Sequence, residues 1–286
     1  MKILVLGATG LIGHSVFRAL NQCQDFSVTG TARAEIQKIP SFGLHNGQLI
    51  SGFDVTNASM LIKVFERMMP DQVINCIGYT KHRPYDVRLY STLNSELPHK
   101  LLNLCKQFNS RLIHISTDCV FSGKRGNYRE DDVPDADDFY GKSKILGEIF
   151  DGNAITLRTS TIGHELFTNY GLLNWFLAQQ DSCEGYRNAI FSGLPTNVFA
   201  EIIKNFVIPN HKLTGLYHIS AAPINKYDLL LLIAKIYKKK ILINVNDDIK
   251  IDRSLNHQKF GIATGFDPAP WEDLIKSMYE SYQKSI

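Results

Sequence analysis

Two side chains in this 286-residue chain are spaced for proton transfer to a carbonyl. Tyr140-Gly141-Lys142-Ser143-Lys144 puts a phenol and an ammonium at i and i+4, hence on one face of a helix. A phenol so placed can donate its proton to a carbonyl oxygen while hydride reaches the carbon. The neighbouring ammonium lowers the phenol's ordinary pKa of about 10 and can also hold a ribose. Upstream, an apolar run ends in Ser116-Thr117-Asp118, where a hydroxyl can steady the same oxygen. The chemistry implied is reduction of a ketone.

Hydride needs a carrier, and the N-terminal residues are patterned to hold one. Gly7-Ala8-Thr9-Gly10-Leu11-Ile12-Gly13 follows a strand pattern and opens a helical one. Gly7 permits the tight turn, Gly10 lets the backbone approach a diphosphate, and Gly13 lets helix and strand pack closely. The diphosphate then meets the free N–H groups and positive dipole end of the helix. The second strand ends without an acid before Glu35 to bind a ribose hydroxyl, and Arg33 stands where a guanidinium can pair with a 2′-phosphate. NADP(H) is therefore favoured over NAD(H). Asp54, ending the third strand, either accepts from the adenine amino group or forms a turn.

These residues must be held by alternating strands and helices. Strands are expected at Lys2–Leu6, Ser27–Thr31, Leu49–Phe53, Gln72–Ile77, Arg111–Ser116 and Ala154–Thr159. Helices are expected at Leu11–Leu20, Ala58–Met69, Asp86–Phe108 and Tyr140–Phe150. Several strands are apolar throughout, as in a sheet covered on both faces. The pattern predicts an α/β fold: a Rossmann-type, doubly wound parallel sheet with right-handed crossovers over residues 1–160, to which part of 187–212 returns. Residues 161–286 read as a smaller α/β substrate-binding cap. Its helices are expected at Gly171–Gln180, Val198–Ile208, Lys226–Tyr237 and Trp271–Tyr282, with strands at Gly215–Ile219 and Ile241–Val245.

The glycine turn, Ser116-Thr117-Asp118 and the Tyr140/Lys144 pair together resemble the extended short-chain dehydrogenase/reductase superfamily. Within it the chain looks most like the dTDP-4-dehydrorhamnose reductase branch. The matching stretches are Gly7–Gly13, Asn75–Thr80, Ser116–Gly123, Tyr140–Lys144, Leu157–Ser160, Gly193–Thr196 and Gly215–His218. The resemblance implies NADPH-dependent reduction of a nucleotide-linked 4-keto-6-deoxy sugar for surface polysaccharide, with Thr117, Tyr140 and Lys144 catalytic. It implies that Thr9, Leu11, Ile12, Val55, Cys76, Ile77 and Gly78 join Gly7, Gly10, Gly13, Arg33 and Asp54 along the cofactor. Tyr79, Lys81, Asp118, Cys119, Thr161 and Phe191 would then line the substrate.

Three positions depart from that branch. Cys119 stands where it has tyrosine, Thr161 where it has tryptophan, and Phe191 where it has glutamine. The expected substrate is accordingly another sugar nucleotide, with a UDP-linked N-acetylated 4-keto-6-deoxy sugar the leading guess. Cys119 also lies where GDP-fucose synthase carries an acid/base cysteine, so an epimerase-reductase is one alternative, with His164 or His82 as partners. A non-catalytic NADP-binding regulatory subunit, as in methionine adenosyltransferase, is another. Sugar-nucleotide dehydratases generally have an acid at the Cys119 position, which counts against dehydration.

Bulk properties exclude other classes. A net charge of +3, with 21% charged residues, does not suit nucleic-acid binding. Five scattered cysteines make neither a disulfide framework nor a metal site, and no metal is expected. No apolar run approaches the roughly 20 residues that span a bilayer, and no charged leader opens the chain. A cytoplasmic protein is expected, with a nucleotide-sugar substrate, no membrane partner, and a homodimer as its assembly. Trp175 and Leu229–Ile233 read as core.

Overall fold

The structure, a computed structural model, describes residues 1–35 and 48–284. A seven-stranded sheet has the order β11-β6-β5-β4-β1-β2-β3. Its strands are β1 (Lys2–Leu6), β2 (Ser27–Thr31), β3 (Gln48–Ile50), β4 (Gln72–Asn75), β5 (Arg111–Thr117), β6 (Ala154–Thr159) and β11 (Gly215–His218). β1 pairs in parallel with both β2 and β4, and the pairs β2–β3 and β4–β5 are parallel too. After β3 the chain crosses to the other side of β1 to form β4. The order therefore reverses between β1 and β4, which opens a crevice at their carboxyl ends. β4 and β5 are buried along their whole length, so their apolar runs have no alternation.

Chain contacts divide the molecule into two units. The first comprises residues 1–116, 137–157 and 200–216, and the second 117–136, 158–199 and 217–286. In the first, Leu4, Leu6, Phe65, Val73, Leu101 and Leu112 form a core with helices α2 (Ala58–Met68) and α4 (Leu97–Gln107), while α1 (Leu11–Asn21) buries Val16, Phe17 and Leu20 outside that cluster. In the second, Leu173, Phe176, Leu229, Leu230, Ile233, Ile275 and Met278 form another. They come from α6 (Leu172–Ala178), α8 (Lys226–Tyr237) and α10 (Trp271–Gln283). The expected core run 229–233 is split by its periodicity: Leu231 is exposed, and Trp175 also lies at the surface.

Local chemistry explains the helix ends. Asn57 and Asp138 cap α2 and α5 (Phe139–Leu146) by accepting from the N–H of Met60 and Gly141, at 3.1 and 2.6 Å. The helix expected over Asp86–Phe108 forms, but in three parts: α3 (Val87–Leu89), a π-helical stretch at Tyr90–Glu96, and α4. Pro98 is the cause. It has no N–H to give the carbonyl of Asn94, and its ring crowds that carbonyl, so the preceding turns widen. The Leu97 N–H reaches back to Thr92, five residues away.

That widened turn receives α5. A β-carbon on Gly147 would lie 1.8 Å from the Asn94 carbonyl oxygen. The expected helix Tyr140–Phe150 ends at Leu146 because the chain turns at Gly147, and Ile149 then bonds the Thr156 hydroxyl of β6 at 3.1 Å.

Several features of the later part of the chain lay outside the sequence pattern. Among them are β8 (Ser182–Tyr186), β9 (Ala189–Phe191), the two-residue strands, α9 (Gln258–Thr264) and the membership of β11 in the large sheet. The small sheets pair β7 (Thr161–Ile162) with β10 (Leu194–Pro195), β8 with β13 (Leu242–Asn246), and β9 with both β12 (Ile224–Asn225) and β14 (Ile251–Asp252). Two- and three-residue strands carry too few residues for an alternation to be read.

Gly147→Ala should lower stability by about 2 kcal/mol or more, because a backbone carbonyl cannot yield as a side chain would. A denaturation midpoint within error of the parent would show that α5 does not depend on this contact.

Candidate functional site

The glycine turn follows β1 at the crevice. Gly7 has φ +78°, which L side chains rarely adopt, and a β-carbon there would meet Ile77 at 2.9 Å. Gly13 is closer still, since its β-carbon would fall 2.0 Å from the Gly7 carbonyl oxygen. Gly10 differs. Its nearest neighbour would be 3.4 Å away, so the protein itself does not demand a glycine at this exposed residue. Gly10 is also the N-cap of α1 and offers no side-chain cap, leaving the first-turn N–H groups for an anion. Thr31, buried at the end of β2, fixes the turn through its hydroxyl to Gly7 N–H at 3.3 Å and its carbonyl to Ala8 N–H at 2.9 Å.

Arg33 is exposed just beyond β2. Asp54 accepts from both the N–H and the hydroxyl of Thr56, at 2.9 and 2.7 Å, and these bonds hold its carboxyl below the ordinary range, with a smaller contribution from Arg33. The turn-forming alternative for Asp54 is therefore realised, with one carboxylate oxygen spent on it. Val55 is buried beside it. The chain from Cys76 to Gly78 leaves β4 next to Gly7, with Cys76 N–H on the Leu6 carbonyl at 3.1 Å and Ile77 N–H on the Asn75 side chain at 3.1 Å. Burial pushes the inward-turned Cys76 thiol up to about 12, so it offers no thiolate.

Tyr140 and Lys144 lie one turn apart on α5, in the same unit as the glycine turn. Tyr140 is half-buried, with its ring 6.4 Å from that of Tyr90. Lys144 is almost wholly buried and donates to the Ile115 carbonyl at 2.8 Å. Desolvation lowers its pKa to about 8, with the Glu148 carboxylate opposing that fall. Of the two hydroxyls that end β5, that of Ser116 is turned inward. It donates inward to Glu148 at 2.6 Å.

The loop after β4 is fixed by a residue that sequence reading passed over. Asn94, fully buried in the π-helical stretch, accepts from Tyr79 N–H at 2.7 Å and donates to both the Tyr79 carbonyl and the Ser143 hydroxyl at 2.9 Å. One amide thus ties the Tyr79 loop to α5. An asparagine inside a helical run just before a proline was the available signal. Tyr79 spends its own hydroxyl on the Pro84 carbonyl at 2.5 Å, while Lys81 is exposed.

Thr117, Asp118, Cys119, Thr161 and Phe191 are described within the second unit. Thr117 caps the short turn Asp118–Val120, accepting from Cys119 N–H at 3.1 Å and donating to Asp118 at 3.1 Å. The buried Cys119 sulfur lies 3.8 Å from an Arg253 guanidinium nitrogen, and the same guanidinium donates to the Phe121 carbonyl at 2.7 Å. Thr161 sits on β7 opposite Leu194. Phe191 packs on Trp271 with ring centroids 5.8 Å apart, at the edge of the second core. Among the described residues, no group of three or more His, Cys, Asp or Glu could hold a metal ion. Among them, too, no helix is long and apolar enough to cross a membrane.

Residues 1–284 match the model of the RmlD substrate binding domain. This chain belongs to that family. It is 25% identical over 304 residues to a dTDP-4-dehydrorhamnose reductase of Aggregatibacter actinomycetemcomitans, covering 97% of this chain and 98% of the relative. Methionine adenosyltransferase 2 subunit beta of Bos taurus is 30% identical over 152 residues, 51% of this chain and 41% of that protein. The structure of dTDP-4-dehydrorhamnose reductase from Bacillus anthracis, in complex with NADP, matches with a TM-score of 0.81 at 20% identity, covering 98% and 99% of the two chains. The RmlD-family fold is thus shared across nearly the whole length.

The buried lysine of this RmlD-family chain has a stability signature. An unfolded lysine titrates near 10.4. Below about pH 8 both states hold the proton; between about 8 and 10 the unfolded chain binds one more, so stability rises with pH across that window. Lys144→Met lacks this dependence. Its stability relative to the parent should be greatest near pH 7 and fall by about 3 kcal/mol at most towards pH 10. Denaturation midpoints that differ equally at both pH values would contradict the burial of the charge.

Proposed function

We propose that the protein is an NADPH-dependent reductase of a nucleotide-linked 4-keto-6-deoxy sugar, acting in the cytoplasm to supply surface polysaccharide. The observation that carries this reading is the Tyr140/Lys144 pair on α5, with the lysine buried and its ammonium directed at the Ile115 carbonyl. Tyr140 is assigned as the acid that protonates the ketone oxygen. Lys144 lowers the energy of the phenolate and steadies the ribose, and Thr117 contributes a hydroxyl to the ketone, a role carried over from the family pattern.

The residues of the crevice fit NADP(H). Gly10 is open where a diphosphate would approach, the first turn of α1 carries no side-chain cap, and Arg33 is exposed beyond β2 for a 2′-phosphate. When bound, the nicotinamide supplies the hydride. Val55 and the Cys76–Gly78 chain would flank the adenosine and nicotinamide halves, and Tyr79 and Lys81 would face substrate.

Cys119 and Thr161 are smaller than the family's tyrosine and tryptophan and support a bulkier sugar, with a UDP-linked N-acetylated one first to be tried. Arg253 beside the Cys119 sulfur gives the epimerase-reductase reading its support. Solvent deuterium entering the carbons beside the ketone, lost in Cys119→Ser, would establish it. A homodimer is proposed through the outer face of α5 and the turn after it, where Phe139, Leu146 and Phe150 are exposed; sedimentation as a monomer would exclude it.

NADPH oxidation should be seen with at least one of a panel of dTDP-, UDP- and GDP-linked 4-keto-6-deoxy sugars. Tyr140→Phe should lower that turnover by about 10²–10⁴-fold with NADPH affinity changed less than about twofold. Turnover retained in this variant would remove Tyr140 as the acid. Gly10→Ala should fold with a loss of about 1 kcal/mol, the ordinary cost of alanine at an N-cap, yet weaken NADPH binding by about tenfold or more. Equal affinity measured by fluorescence titration would place the diphosphate elsewhere.

A further inference from the structure

We propose that Glu148 is a positioning residue of the reducing site: its buried carboxylate, tethered to Ser116 at the end of β5, is the counter-charge that holds the Lys144 side chain in place as an ammonium. The proposal rests on the reductase reading for what the lysine does, but not for where its charge is held.

A carboxylate is seldom buried without partners, and Glu148 is 4% exposed. It stands four residues after Lys144, at the point where α5 has ended and the chain turns towards β6. The Ser116 hydroxyl donates to it at 2.6 Å, short enough to be charge-assisted. Ser116 immediately follows Ile115, whose carbonyl receives the Lys144 ammonium at 2.8 Å. Two successive residues of β5 thus hold the two opposite charges, the first by its backbone and the second by its side chain. Burying the lysine alone would favour its neutral form, and the Glu148 charge acts against that.

The other titratable groups on the elements beside α5 do not take this part. His114, on β5, is fully buried, with Nδ1 3.1 Å from the Asn75 amide nitrogen, and burial keeps it well below its ordinary range and neutral. His99, on α4, has Nε2 2.8 Å from the Leu146 carbonyl oxygen. Tyr90, on the π-helical stretch, has its pKa raised by burial and stays protonated. Tyr140 is the group that the lysine serves. Among these neighbours Glu148 supplies the negative charge.

The test is a titration of ¹³C-labelled lysines by NMR, with the outlying signal assigned by its loss in Lys144→Arg. In folded Glu148→Gln the Lys144 titration should move to lower pH by roughly one unit or more. The alkaline limb of kcat/KM should move with it, and Glu148→Asp should restore part of the shift. A Lys144 titration unchanged in folded Glu148→Gln overturns the proposal. Should that variant not fold, Ser116→Ala keeps the carboxylate but cuts its tether; a moved Lys144 signal supports the role and an unmoved one overturns it. The titration needs no substrate, so a parent enzyme that reduces no ketone would refute the reductase reading while leaving the role of Glu148 to be decided.

Discussion

Helix α5 can lie where it does only because residue 147 has no side chain. The Asn94 carbonyl occupies the place of a β-carbon there, and that carbonyl is available because Pro98 cannot donate to it. The Asn94 side chain, on the same residue, bonds Ser143 of α5 and both backbone groups of Tyr79. One proline therefore widens a helix, the widened turn seats α5, and the same residue fixes the loop beside it. Tyr140 and Lys144 take their positions from that arrangement. The side chains of α5 cannot be placed without the helix that it leans on.

The parts of the fold that were legible in sequence are those governed by periodicity or by a motif with its own sterics. β1, β2 and β6 form over the residues that their apolar runs marked, and the β4 and β5 runs form strands that end two residues earlier and one residue later than marked. Gly7 and Gly13 proved sterically obligatory, and the roles of turn and close packing read from the motif match the 2.9 and 2.0 Å approaches. What escaped was set by partners distant in the chain. The inward turn of Ser116 depends on Glu148, thirty-two residues on, and the place of β11 in the large sheet depends on β6. Neither leaves a local signature.

The departures from the family pattern acquire different weights. Phe191 leans on Trp271 and belongs partly to the second core, so its replacement for glutamine reads as packing as much as lining. Cys119 is held in a turn capped by Thr117 and approached by Arg253, which makes it a built feature of the second unit. Thr161 is held in the β7–β10 pairing. A substitution at Cys119 therefore removes the sulfur that the Arg253 guanidinium approaches.

The buried guanidinium of Arg111, at the start of β5, closes the first unit in a way that matters during synthesis. It donates to the carbonyls of Val207 and Leu213, 96 and 102 residues ahead, while the Gln72 side chain donates to the carbonyl of Ile208. A nascent chain that has passed residue 157 already carries the glycine turn and α5, yet these buried donors still lack their acceptors. The first unit completes these bonds only after residue 213 has been made. Until the segment ending near residue 216 emerges those donors are left to water, and by then about half of the second unit has been made.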